Sequence, residues 1–170
     1  MKAARRPEIF FPLLVAAQAV LSSCFCFTPY AVLSILPAIV LCLPVSLATS
    51  WTMLAAFASG LAVDFLSGGI LGLNTLAIVP VALMRKNIVR FILGEDLLAR
   101  GEDFSFGKNG FTKISYAILA AQLLFFVIYV AADGAGVRPF WFNAARTAGS
   151  MLCSFPLSML AVSILSSEND

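Results

Sequence analysis

The chain has 170 residues, of which 61% are hydrophobic and only 12% are charged, and its mean hydropathy is +0.96. Soluble domains hold roughly half apolar residues, so this composition predicts an integral membrane protein. The net charge of +2 is small, and the cations form no stripe with interleaved aromatic residues. This pattern excludes a nucleic-acid-binding surface.

Side chains suited to catalysis or metal binding are scarce. The chain has no His, and its four cysteines lie in segments that resemble membrane spans: Cys24, Cys26, Cys42 and Cys153. A metal site would therefore need thiolates alone. The sequence also lacks a nucleophile elbow and a phosphate-binding loop. We therefore expect no enzymatic activity, no cofactor and no metal.

Apolar runs predict six helices in one transmembrane domain covering residues 1–170, an all-α, polytopic six-helix bundle. The approximate spans are 9–25, 31–48, 51–66, 70–92, 114–132 and 144–165. Pro37 and Pro44 fall inside the second span, where they predict kinks that face the bundle. Residues 21–24 resemble a lipoprotein cleavage box, but the apolar sequence that follows favours an uncleaved first span.

The third and fourth spans predict an antiparallel hairpin with its tip at residues 59–74. Ala56, Gly60 and Asp64 are spaced four residues apart and form one stripe on a helix. Small residues at this spacing let two helices approach closely, and a charge within a membrane faces protein or water. We expect this stripe to bind a partner or to form part of the core. In the alternative interpretation, Asp64 only marks the point where the helix leaves the bilayer.

An ionised Asp at membrane depth costs about 2.5–3.5 kcal/mol, so Asp64 is expected to have a partner unless it reaches water. Arg146 and Asn74 are predicted at the same depth. Our hypothesis is that Arg146 pairs with Asp64 and that Asn74, which follows Gly72 near the start of the fourth span, completes the network. The sequence leaves open that Asp133 instead takes Arg146 or Arg138.

The cations indicate the orientation. Nine of them fall on the side of the N-terminus and only Arg138 and Arg146 on the other, which predicts that both termini are cytoplasmic. Arg85 and Lys86 end the fourth span, where we expect cations to reach outward into the headgroup layer. The polar loop at 94–113 contains Phe104 and Phe106. It is either a solvated linker or a docking loop for a cytoplasmic partner, with Arg85 and Lys86 beside it.

Several of these features together resemble the MreD family of rod shape-determining proteins, in particular its Bacteroidetes-type members. The shared features are six short spans in 170 residues, the sequence Gly-Leu-Ala-Val-Asp at 60–64, the glycine-rich turn, Gly-Leu-Asn at 72–74 and the Arg-Lys pair at 85–86. Residues 100–111 are similar to the cytoplasmic loop of those members. Many relatives carry a polar residue such as His in the fifth span, where this chain has Gln122.

The resemblance implies a non-enzymatic scaffold in the bacterial inner membrane that binds MreC, a single-span protein. It also implies membership of the cell-elongation complex with MreB, a RodA-type glycosyltransferase and a class B penicillin-binding transpeptidase. The implied fold is similar to the substrate-binding S-components of energy-coupling-factor vitamin transporters. An alternative function is therefore small-molecule binding in a pocket lined by Asp64, Asn74 and Arg146.

Overall fold

The computed structural model describes residues 7–25, 32–43, 47–68, 70–94, 110–134 and 138–167. Every regular element within these ranges is an α-helix, which confirms the all-α prediction. The helices are α1 (Pro7–Phe25), α2 (Leu36–Leu41), α3 (Thr49–Ser67), α4 (Leu73–Leu93), α5 (Phe111–Gly134) and α6 (Phe140–Ser167). Five of them match the predicted spans to within four residues at each end. The first residues of α5 occupy the end of the predicted loop at 94–113.

The second span differs from the prediction. A helix over the whole of 31–48 is wrong, because within the described residues 32–43 and 47–48 only Leu36–Leu41 is helical, and residues 32–35 are irregular. Pro37 lies in the first turn of α2, where its missing N–H costs nothing. Leu43 precedes Pro44 in the sequence, and the residue before a proline avoids the helical region. Pro37 therefore lies at the start of a short helix instead of kinking a long one, and Pro44 lies outside the described residues.

Helix α2 lies at the centre of the fold. All six of its residues are buried, and it packs against each of the other five helices. A helix that is apolar on every side is stable when it is buried, in a protein core or in a membrane, and α2 is buried by the other helices. The aromatic rings of Phe125 and Phe126 on α5 complete the core, with an edge-to-face contact at 5.3 Å between their centroids.

Helices α3 and α4 form the antiparallel hairpin that the sequence predicts. Gly68 and Gly72 allow the tight turn because both have positive φ angles, 65° and 92°, which residues with a Cβ rarely adopt. The helices also approach closely at Gly60. A Cβ at this position would lie 2.7 Å from the Cα of Thr75, so only glycine allows this distance between the two backbones.

Large apolar side chains cover the outside of the five long helices. Exposed examples are Leu13 on α1, Phe65 on α3, Phe91 on α4, Leu123 on α5 and Leu152 on α6. Among the described helices, α3 and α5 have the length and hydropathy needed to cross a membrane.

Candidate functional site

The carboxylate of Asp64 lies at the centre of a buried hydrogen-bond network. It is 2% exposed and accepts five hydrogen bonds. Oδ1 accepts from the backbone N and from Nδ2 of Asn74, at 3.1 and 2.9 Å. Oδ2 accepts from the N of Gly72 at 3.0 Å, and from the N and Oγ1 of Thr75 at 3.2 and 3.0 Å. Asp64 therefore lies in the core and not at a solvated helix exit.

The donors explain why a carboxylate is stable at this position. The first N–H groups of a helix have no partner within the helix, and the N-terminus carries a partial positive charge. Gly72, the N-cap residue of α4, has no side chain to accept from them. Asp64 reaches across from α3 and caps α4 in its place. The negative charge is thus stabilised by backbone dipoles and needs no cationic side chain.

This geometry corrects the predicted ion pair. Asn74 belongs to the Asp64 network, as predicted, but Arg146 does not, because it donates to Asp133 on α5. The lining predicted for a small-molecule pocket is therefore divided between two separate networks. Sequence analysis missed Thr75; its position at the third residue of a helix that has a glycine N-cap is the signal that could have identified it.

Asp133 forms ion pairs with Arg138 and Arg146, the two cations predicted on the side opposite to the termini. It accepts from Arg138 at 2.9 Å and from Arg146, which is 9% exposed. The alternative left open by the sequence is therefore the correct one. Arg138 is 41% exposed and also lies over the ring of Phe142. The cluster ties the end of α5 to the start of α6.

We expect Asp133→Ala to lower the free energy of unfolding by about 2–3 kcal/mol, because it leaves the guanidinium of Arg146 buried and unpaired. The loss stays below the 3–5 kcal/mol of a fully buried pair because Asp133 retains some contact with water. Arg138→Ala should cost under about 1 kcal/mol, since its ion pair is exposed. Denaturant unfolding in detergent micelles measures both values, and equal losses would contradict this difference.

The stripe of small residues is used inside the chain. Ala56 and Gly60 are both buried, and Gly60 faces the backbone of Thr75 and the side chain of Ile78 on α4. Of the two expectations for this stripe, the structure therefore favours the core, because α4 covers the face of Gly60 that was expected to bind a partner. The small residues do allow two helices to approach closely, as expected. The second helix is α4 of the same chain and not a helix of a partner.

Arg85 also departs from the prediction. It is 2% exposed and donates from Nη2 to the backbone carbonyl of Leu43, just after α2. A buried guanidinium needs hydrogen-bond acceptors, and this carbonyl supplies one. Arg85 thus fastens α2 to α4 and does not reach outward, whereas Lys86 is half-buried. Phe104 and Phe106, the other docking candidates, lie outside the described residues.

A second polar network surrounds the irregular stretch at residues 32–35. Gln18 on α1 donates to the carbonyl of Leu33 at 3.1 Å and accepts from the N of Ile35 at 2.8 Å. Ser150 and Ser154 on α6 accept from the backbone N of Val32 and Ser34, at 2.9 and 3.1 Å. Buried backbone outside a helix needs such partners. Polar side chains from two helices thus replace the bonds that a longer α2 would have made.

Comparison with known proteins gives no relatives: no family model, no curated protein and no solved structure matches this chain.

Proposed function

We propose that the chain is a multi-pass protein of the bacterial inner membrane with both termini in the cytoplasm. The observation that carries this proposal is the distribution of polarity across the fold. Large apolar side chains are exposed along the five long helices, whereas Gln18, Gln122 and Asp64 are buried between them. An apolar surface of this extent has to be covered, and a bilayer covers every side at once. The hydropathy of α3 and α5 and the unequal distribution of cations support the same proposal.

Within the membrane, we propose that the protein is a scaffold of the cell-elongation complex that binds an MreC-like single-span partner. The resemblance to MreD at residues 60–64 and 72–74 supports this proposal. Those residues build the capped hairpin of α3 and α4, which holds α3 in a fixed position. A rigid helix with one face free is a suitable template for a partner helix. MreB, the RodA-type glycosyltransferase and the class B transpeptidase would then associate in the same complex.

Because the face of Gly60 is covered by α4, the partner needs another surface, and we assign it to the outer face of α3. Leu54, Ala58, Leu61 and Phe65 are all exposed there, and their spacing places them on one stripe. Ala58 leaves room in the middle of this stripe for a second helix to approach. The wider apolar side chains on either side of Ala58 would then pack around the partner helix.

Cysteine labelling tests the membrane topology. In a variant whose native cysteines are replaced, Leu71→Cys lies at the hairpin turn and Asn87→Cys near the other end of α4, and both positions are exposed. We expect a membrane-impermeant maleimide to label position 71 in intact cells and position 87 only after the membrane is opened. Equal labelling of both positions in intact cells, or release of the protein by alkaline carbonate, would contradict the proposal.

Co-purification tests the scaffold function. We expect Ala58→Leu to abolish recovery of the MreC-like partner while the thermal midpoint of the purified protein stays unchanged. Leu123→Ala, on the exposed face of α5, is the matched control and should keep the partner. Depletion of the protein should convert rod-shaped cells to rounded ones. Unaltered cell shape together with no recovered single-span protein would overturn the proposed function.

A further inference from the structure

The interior of the bundle contains a row of uncharged polar side chains that capping and ion pairing do not explain. Ser150, Ser154 and Ser158 follow each other at four-residue intervals along α6, and all three are buried. Ser150 and Ser154 hold the backbone before α2. Ser158 accepts from Nε2 of Gln122 on α5 at 2.7 Å. The row therefore lies where α6 meets both α5 and the approach to α2.

Two atoms beside this row lack a hydrogen-bond partner in the part of the chain that the structure describes. They are Oγ of Ser34 and Oε1 of Gln122, and both residues are 0% exposed. A buried polar atom left unpaired costs about 1–3 kcal/mol, so native proteins rarely keep two of them together. Their presence indicates that something else satisfies them.

The two unpaired atoms belong to residues that are held by neighbouring serines of α6. The backbone N of Ser34 bonds to Ser154, and the amide of Gln122 bonds to Ser158, one helical turn further on. One turn is about 5.4 Å along the helix axis. Two hydrogen bonds of about 2.8 Å that meet at the bent angle of one water molecule join atoms about 4.5 Å apart. Anchors one turn apart on α6 permit such a separation between Ser34 Oγ and Gln122 Oε1, so a single small molecule would be able to contact both groups.

The surrounding groups also define the chemistry of that molecule. Oε1 of Gln122 requires a donor, whereas the hydroxyl groups of Ser34 and Ser158 can donate or accept. The side chains that hydrogen-bond in this network are all neutral, so an ion would be buried without a counter-charge. An apolar molecule would leave both atoms unpaired. Water donates and accepts, and buried waters typically make about three hydrogen bonds.

We propose that a structural water molecule binds between Ser34, Gln122 and Ser158. It joins the irregular stretch at residues 32–35 to α5 and α6. Helices α1 and α6 hold the irregular stretch by direct hydrogen bonds to its backbone. The polar contact with α5 then passes through an exchangeable molecule. This site is independent of partner binding and of the proposed scaffold function.

A structure of the full chain in lipid nanodiscs, at a resolution of about 2 Å, tests the site directly. We expect a density peak within hydrogen-bonding distance of both Ser34 Oγ and Gln122 Oε1. A well-ordered site without this peak overturns the proposal, whether or not the protein binds a partner.

The variant Ser34→Ala gives a second test, because it removes one hydroxyl and leaves the backbone N–H of residue 34 bonded to Ser154. If water is bound, the thermal midpoint should fall by about 2–4 °C. If nothing is bound, removing an unpaired hydroxyl leaves the midpoint unchanged or raises it, which overturns the proposal. Ser163→Ala, at an exposed position on α6, is the control and should have no effect.

Discussion

Replacing Asp64 by alanine is expected to lower the free energy of unfolding by about 4–6 kcal/mol, because three backbone N–H groups and two side-chain donors lose their buried acceptor at about 1–3 kcal/mol each. Reorientation of Asn74 and Thr75 recovers part of the loss, since their side chains can find other partners. The remainder is a large fraction of the stability of an ordinary domain, about 5–15 kcal/mol. Denaturant unfolding in micelles or nanodiscs measures it.

Two further variants separate the charge of Asp64 from the space it fills. Asp64→Asn keeps one oxygen acceptor but presents an NH₂ group to the donors on the other side, so it should lose about half as much stability as the alanine variant. Ser59→Ala is the control, because Ser59 donates only to the carbonyl of Ala56 in its own helix. It should cost under about 1 kcal/mol. If Asp64→Asn proved as stable as the natural protein, the capping of α4 by a negative charge would be refuted.

Replacing Gly60 by leucine is expected to prevent α3 and α4 from packing. Even the Cβ of an alanine would lie 2.7 Å from the Cα and 2.9 Å from the N of Thr75. Backbone atoms cannot turn aside as a flexible side chain does, so the two helices must separate. We expect Gly60→Ala to cost about 1–3 kcal/mol, and Gly60→Leu to leave little folded protein.

Ala58 provides the matched comparison for this prediction. It lies two residues before Gly60 on the same helix but is exposed, so Ala58→Leu should leave the folded fraction unchanged. Size-exclusion chromatography and thermal unfolding of the two leucine variants measure the difference. A normal thermal midpoint for Gly60→Leu would show that α3 and α4 do not approach as described. Loss of the partner in this variant would indicate a disrupted fold and not a missing contact surface.

Local sequence patterns predicted most of the helices. Five long helices follow from apolar runs, because each run extends over enough residues to form its own hydrogen bonds. The exception is the second run, where the prolines were predicted to kink a helix. An irregular stretch in the interior needs partners for its backbone, and Gln18, Ser150 and Ser154 provide them from helices far away in sequence. No pattern within residues 31–48 contains that information.

The candidate site divides in the same way. Asp64 and Asn74 are ten residues apart across one tight turn, so their contact follows from the hairpin alone. The partner of Arg146 could not be decided from depth, because Asp64 and Asp133 were both placed at the same end of the bundle. Arg85 shows the same limit, since the carbonyl that it binds is 42 residues away in the sequence.

The sequence by itself determined the all-α class, the approximate bounds of five helices and the α3–α4 hairpin, because these depend on hydrogen bonds and turns between residues close together in the chain. Only the tertiary structure decided that Asp64 caps the N-terminus of α4, that Gly60 faces α4, and that Arg146 pairs with Asp133. Each of these contacts depends on which donor, cation or helix lies next to the buried group in the folded structure. Hydropathy shows that such an atom is buried, but it does not identify its neighbour.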